Sequence, residues 1–229
     1  MIRAIFFDAG NTLIHMDYAA IATALAGQGV QTSGAEVQRA EWRARVRLDA
    51  SFGRGTSTES SDTGDRYLRY VLDELGVREA SIVTALAAWR RTYNTPVGLW
   101  TEGEPEAEAA LRLAHDRGLR TACISNSNGT VTAILEGLGL ARHLDFVIDS
   151  SQVGVEKPDP RIFHLALERA GVAAAEAVYV GDLYSVDVVG ARGAGLSAIL
   201  MDPGACWGSR DCPAVPTALA AVHHVLDGR

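Results

Sequence analysis

Seven side chains able to handle a charged oxygen substrate fall in four clusters along the chain. Asp8 ends the apolar run Ala4-Ile-Phe-Phe-Asp8, and Gly10, Asn11 and Thr12 follow it. Ser125 and Asn126 follow Thr121-Ala-Cys-Ile124, and Asp182 and Asp187 follow Val178-Tyr-Val180-Gly181. Lys157 stands apart, just before Pro158. A carboxylate held partly out of water can bind a hard cation or attack an electrophile. Three carboxylates around one cation, with a hydroxyl, an amide and an ammonium, suit a metal-bound phosphoryl group. Mg²⁺ takes oxygen ligands and leaves room for a substrate oxygen. It would also screen the repulsion between an attacking carboxylate and an anionic phosphate.

Each of these residues has a structural alternative. Thr12 could be a turn or cap residue, and Ser125 or Asn126 a strand-end turn. Asp182 and Asp187 could be solvated acids at a helix start. Lys157 alone would read as a surface charge. It is, however, the single lysine among 21 basic residues, and arginine fills every other basic position. A point-like ammonium that tethers single oxygens does a task for which arginine's wide fork fits badly.

The elements that must position these residues follow an α/β rhythm. Ile5, Phe6 and Phe7 predict a strand buried on both faces, the habit of a parallel sheet. Strands are also predicted at Thr121–Ile124, Phe146–Ile148, Val178–Val180 and Ser197–Leu200. Helices are predicted from Pro105, over 131–138, from Asp159-Pro160, from about Ser185 and over 218–226. Residues 203–216 read as irregular. Strands alternating with helices imply right-handed crossovers, so all carboxyl ends share one edge, where open α/β sheets place ligands. Between about 17 and 94 there is no strand pattern. Apolar stripes at Ile21 and Leu25, at Val37, Ala40, Arg43 and Val46, at 67–75 and at 82–93 predict four helices, the second with arginine on its outer face. Ser51 to Gly64 reads as a mobile loop. We therefore expect a core from residues 1–15 and 97–229 and an inserted helical unit at 16–96.

With 229 residues, the chain is long enough for that arrangement. Its net charge of −7 argues against non-specific nucleic-acid binding and against an anionic membrane surface. Asp8 interrupts the first apolar run, so no N-terminal signal or span is expected. Cys123, Cys206 and Cys212 form no paired motif, which suggests a reducing cytoplasm and neither a disulfide framework nor a zinc site.

Taken in order, the four clusters resemble the motifs of the haloacid dehalogenase-like (HAD) hydrolase superfamily. Phe6-Phe7-Asp8-Ala-Gly-Asn-Thr12-Leu13 resembles the first motif, Ile124-Ser125-Asn126 the second, Lys157-Pro158 the third, and Val180-Gly181-Asp182-Leu-Tyr-Ser-Val-Asp187 the acidic fourth. The resemblance implies a Rossmann-like parallel-sheet core with a helical cap. It makes Asp8 the nucleophile that forms an aspartyl-phosphate. Mg²⁺ would be held by Asp8, the Gly10 carbonyl and Asp182, with Asp187 supporting it through water or hydrogen bonds. Thr12, Ser125 and Asn126 would serve the phosphate, and Lys157 would steady Asp8 and the transferring group.

One departure matters. The family's phosphatases usually carry a second aspartate two residues after the nucleophile, as general acid and base. Here that position is Gly10. A general acid–base contributes roughly 10²–10⁴-fold. The expectation is therefore a Mg²⁺-dependent phosphatase on a small phosphorylated metabolite, weak or favouring good leaving groups. His15, Asp17 and Tyr18 are near enough in sequence to be considered as proton donors, or as hinge residues. The alternatives are a metal-independent 2-haloacid dehalogenase and a non-catalytic binding protein of the same fold. A phosphonate hydrolase is disfavoured, because the insert has no lysine for an imine. A monomer or homodimer in the cytoplasm is expected. Arg43, Arg45, Arg47 and Arg54 could reach a second anionic group, but a solvated helix face is the simpler reading.

Overall fold

The computed structural model describes residues 1–53 and 55–228; Arg54 lies outside them. In chain order the elements are β1 (Ala4–Phe7), β2 (Ile14–Met16), α1 (Tyr18–Ala26), α2 (Gly34–Ala50), α3 (Ser61–Glu74), α4 (Ala80–Thr92) and β3 (Trp100–Gly103). They continue with α5 (Ala107–Asp116), β4 (Arg120–Ser125), α6 (Val131–Gly137), β5 (Phe146–Asp149), α7 (Ser150–Val153), α8 (Pro160–Ala170) and β6 (Ala177–Gly181). The last are α9 (Val189–Gly193), β7 (Ser197–Met201), β8 (Ala214–Val215) and α10 (Ala218–Leu226). The chain forms two compact units, Met1–His15 with Glu102–Arg229, and Met16–Thr101. Residues 97–101, beyond Pro96, belong to the second unit. The short strands β2 and β3 pair with each other where the chain passes between units. No helix among the described residues is long and apolar enough to cross a membrane.

The first unit is an α/β, Rossmann-like fold around a six-stranded sheet of order β5-β4-β1-β6-β7-β8. Every pairing in it is parallel. β1 is central and all four of its residues are fully enclosed, which is why it reads as an unbroken apolar run. Its register sets Phe7 beside Cys123 on one side and Val180 on the other, so Asp8, Ile124 and Gly181 lie at the same level along the sheet. α5 buries Ala107, Ala110, Leu111 and Ala114, the 3.6-residue stripe its sequence carries. α8 starts at Pro160 behind the Asp159 cap and buries Ile162, Phe163, Ala166 and Leu167.

Two local readings need correction. Residues 203–216 are not wholly irregular, because Ala214–Val215 adds the edge strand β8 to β7. A two-residue strand carries no periodic signal. The turn after β6 is not an ordinary helix start either. Tyr184–Val188 is a wide π-helical turn before α9. The Val189 N–H closes it onto the Tyr184 carbonyl, and within it Asp187 donates its N–H to the Leu183 carbonyl (2.8 Å) while its side chain folds back to accept from the Leu183 N–H (2.9 Å).

The second unit is helical. α1, α2, α3 and α4 share a core of Ile21, Leu25, Val37, Ala40, Ala44, Leu68, Val71, Leu72 and Leu86. α2 opens with a capping box between Ser33 and Glu36. The loop expected to run to Gly64 ends earlier, because the Ser60 side chain accepts from the Thr63 N–H and starts α3 at Ser61. Arg43 and Arg47 lie on α2's outer side and pair with Glu74 and Asp73 of α3. Arg45 does not. It is buried against Glu41, which also accepts from the hydroxyls of Tyr18 and Tyr67. A buried arginine needs such a partner, and only packing could show which of these arginines turns inward.

Candidate active site

Asp8 stands one residue past β1, with its N–H donating to the Val180 carbonyl at 2.8 Å. From there the backbone turns through Asn11, which adopts φ +51°. Asparagine tolerates this left-handed conformation better than most residues. Gly181 ends β6, and a Cβ there would meet the Asp187 carboxyl carbon at 2.4 Å. Glycine therefore lets Asp187 fold back toward the strand ends. One oxygen from each of Asp8, Asp182 and Asp187 lies within 4.8 Å of the other two, and all three residues are buried.

Lys157 joins this group from the loop before α8. Its Nζ donates to Asp8 Oδ1 at 2.6 Å, to Asp187 Oδ1 at 2.8 Å and to the Tyr179 hydroxyl at 2.8 Å. The Tyr179 hydroxyl donates in turn to the Ile124 carbonyl at 3.0 Å. Asp182 is oriented from the loop after β1, where Asn11 Nδ2 donates to its Oδ2 at 2.9 Å. Asp187 uses one oxygen for Lys157 and the other for the Leu183 N–H.

The electrostatics follow from burial. Burial pushes the Asp8 carboxyl up from 3.8 to about 6; Lys157 pulls it down and Asp187 adds to the rise. Burial alone would lower the Lys157 ammonium, but Asp187 and Asp8 hold it above the ordinary lysine range. Tyr179 is pushed well above the usual phenol range by burial and then by the charges of Asp187 and Asp8. Three carboxylates face one ammonium, an excess of two negative charges when all are ionised. Hard oxygen donors with that excess fit a small divalent cation such as Mg²⁺. Asp8 and Asp182 could hold it, and Asp187, with both oxygens engaged by the protein, would act from behind them.

The remaining candidates divide. The Ser125 hydroxyl donates to the Asn126 carbonyl at 3.1 Å, and a hydroxyl can rotate to donate to an anion instead. Asn126 holds the chain at Lys157: its Nδ2 donates to the Lys157 carbonyl (3.0 Å) and its Oδ1 accepts the Lys157 N–H (2.7 Å). Both ends of the amide thus engage the lysine loop. Thr12 is fully enclosed, and its hydroxyl has no partner among the described residues. It lies enclosed within the loop after β1. Asp17 caps α1 through the Ala20 N–H (2.7 Å) and accepts from Tyr93 (3.2 Å), and Tyr18 donates to Glu41 (3.1 Å). Both side chains are thus engaged in holding the helical unit.

Neither Asn11 nor Tyr179 is among the site residues expected from sequence. The signal for Tyr179 was present: a hydroxyl inside an otherwise apolar, buried strand needs a partner. Asn11 was legible as a turn residue, but its reach to Asp182 was not.

A family model described as haloacid dehalogenase-like hydrolase matches residues 2–195. The bovine haloacid dehalogenase-like hydrolase domain-containing protein 3 is 32% identical over 207 residues, covering 87% of this chain and 82% of its own. A phosphoserine phosphatase of Thermus thermophilus is 41% identical over 144 residues, 61% of this chain and 55% of its own. Among solved structures, a 2-haloacid dehalogenase from Pseudomonas syringae superimposes with a TM-score of 0.61 at 25% identity, over the whole of both chains.

Proposed function

Because this chain belongs to the haloacid dehalogenase-like hydrolase family, we propose that it is a Mg²⁺-dependent phosphatase that works through an aspartyl-phosphate on Asp8. The observation that carries this is the buried convergence of Asp8, Asp182 and Asp187 within 4.8 Å. A phosphatase among the relatives supports it. The substrate is a small phosphorylated metabolite, and the helical unit occupies the chain position of the family's cap.

In the first half-reaction a carboxylate oxygen of Asp8 attacks phosphorus, and the bond to the leaving oxygen breaks with its electron pair. Lys157 keeps Asp8 ionised and aimed. Ser125 turns its hydroxyl to a phosphoryl oxygen. Gly10 has no proton to give, so the leaving oxygen departs as an anion or takes its proton from water. In the second half-reaction water attacks the same phosphorus and frees the Asp8 carboxylate and inorganic phosphate. A bound Mg²⁺, held by Asp8, Asp182 and the Gly10 carbonyl with Asp187 behind, would supply charge neutralisation between nucleophile and substrate.

The test is phosphate release from aryl phosphates by parent and Asp8→Asn protein, with and without Mg²⁺. The variant should lose nearly all of this activity, since the nucleophile is gone. Equal activity in the two, with contaminating phosphatase excluded, overturns the reading. A 2-haloacid dehalogenase is the second reading, favoured by the likeness to that solved structure and by the absent aspartate at Gly10. Against it, a metal-free site here sets excess negative charge beside an anionic haloacid. Halide release that persists in a chelator would decide for it.

A further inference from the structure

We propose that Tyr179 is a positioning residue: it takes the third N–H of the Lys157 ammonium, and so fixes that group on Asp8 and Asp187. An ammonium has three protons and no acceptor. Its acceptors among the described residues are Asp8, Asp187 and Tyr179, at 2.6, 2.8 and 2.8 Å. All three protons are therefore engaged by the protein, which aims the ammonium at Asp8.

The geometry around Tyr179 suits this task. Its own proton goes to the Ile124 carbonyl, which turns the oxygen's lone pairs toward Nζ. Its ring meets Phe163 edge-on, with centroids 5.1 Å apart, and β6 holds its backbone in the sheet. The base of the lysine is pinned by two hydrogen bonds with the Asn126 amide, one donated and one accepted by it. The lysine is thus held at both ends. Loss of the hydroxyl would let the ammonium swing, and a small misplacement of a catalytic group is costly.

This deepens the phosphatase reading and rests on it, but one arm of the test stands apart from turnover. Lys157 is the only lysine in the chain, so ¹⁵N-lysine labelling gives a single side-chain ammonium signal. In the Mg²⁺-loaded parent that signal should persist, because three hydrogen-bonded, buried protons exchange slowly with water. In Tyr179→Phe it should broaden or vanish while the backbone amide spectrum stays folded. With an aryl phosphate, kcat of Tyr179→Phe should fall about 10–100-fold with KM within twofold. Ammonium protons that exchange in the parent as fast as those of free lysine overturn the proposal, whether or not the variant folds. So does a folded variant with parental kcat, or one in which only KM changes. A parent that turns over no phosphate ester yet shows the persistent signal counts against the phosphatase reading, and leaves the hold on Lys157 standing.

Discussion

Asn11 combines a backbone role and a side-chain role that substitution can separate. Its φ of +51° costs an ordinary residue about 1–2 kcal/mol, and its amide orients Asp182. Asn11→Gly keeps the turn and removes only the amide. We expect that variant to fold with near-parental stability and to bind Mg²⁺ several-fold more weakly by calorimetric titration. Asn11→Ala should show the same loss of affinity and a lower melting temperature as well. Gly10 makes a prediction about leaving groups. The parent should favour aryl and acyl phosphates over alkyl phosphates by about 10²-fold or more, the scale of a missing general acid. Gly10→Asp should raise the alkyl-ester rate, and steady-state rates on matched ester pairs will show whether the gap narrows.

Between elements, the corner from β6 into the π-helical turn depends on Gly181. An added Cβ at 2.4 Å from the Asp187 carboxyl carbon cannot be relieved without moving that acid. Gly181→Ala should therefore destabilise by about 1–3 kcal/mol in chemical denaturation, the usual range for forced overpacking, and lose activity beyond that. In the helical unit, α2 and α3 are joined by Glu74, which accepts from Arg43 and Arg47. The Arg43 hydrogen bond is the largest influence on its carboxyl; burial opposes it, and Arg47 adds to it, so the group is held below the ordinary value of 4.5. A folded-state pKa below the unfolded one contributes stability above the ordinary value and loses it as pH falls through the folded value. Melting temperatures taken from about pH 6 down to about pH 3 should fall less steeply for Glu74→Gln than for the parent, across the ordinary glutamate range.

For the molecule as a whole, the excess negative charge buried at the sheet edge makes cation binding a folding term. A ligand that binds only the folded state stabilises by about 2.7 kcal/mol at a hundred times its dissociation constant. Mg²⁺ should accordingly raise the melting temperature of the parent, and Asp182→Asn should abolish most of that rise while remaining folded. The four motifs and their strands were legible from sequence because each is local. An apolar run that ends in an acid or a hydroxyl marks a strand tip, and parallel topology then brings the tips of β1, β4 and β6 to one edge. The order of the chain alone thus determined the α/β core, the turn after β1 and the convergence of Asp8, Lys157, Asp182 and Asp187. Tertiary packing decided what each side chain does on arrival. It gave the Asn126 amide to the Lys157 backbone, enclosed Thr12, turned Arg45 inward to Glu41 and set Tyr179 beneath the ammonium. These depend on distances between residues far apart in the chain, and on which lone pair faces which proton. Local periodicity and residue type carry no record of either.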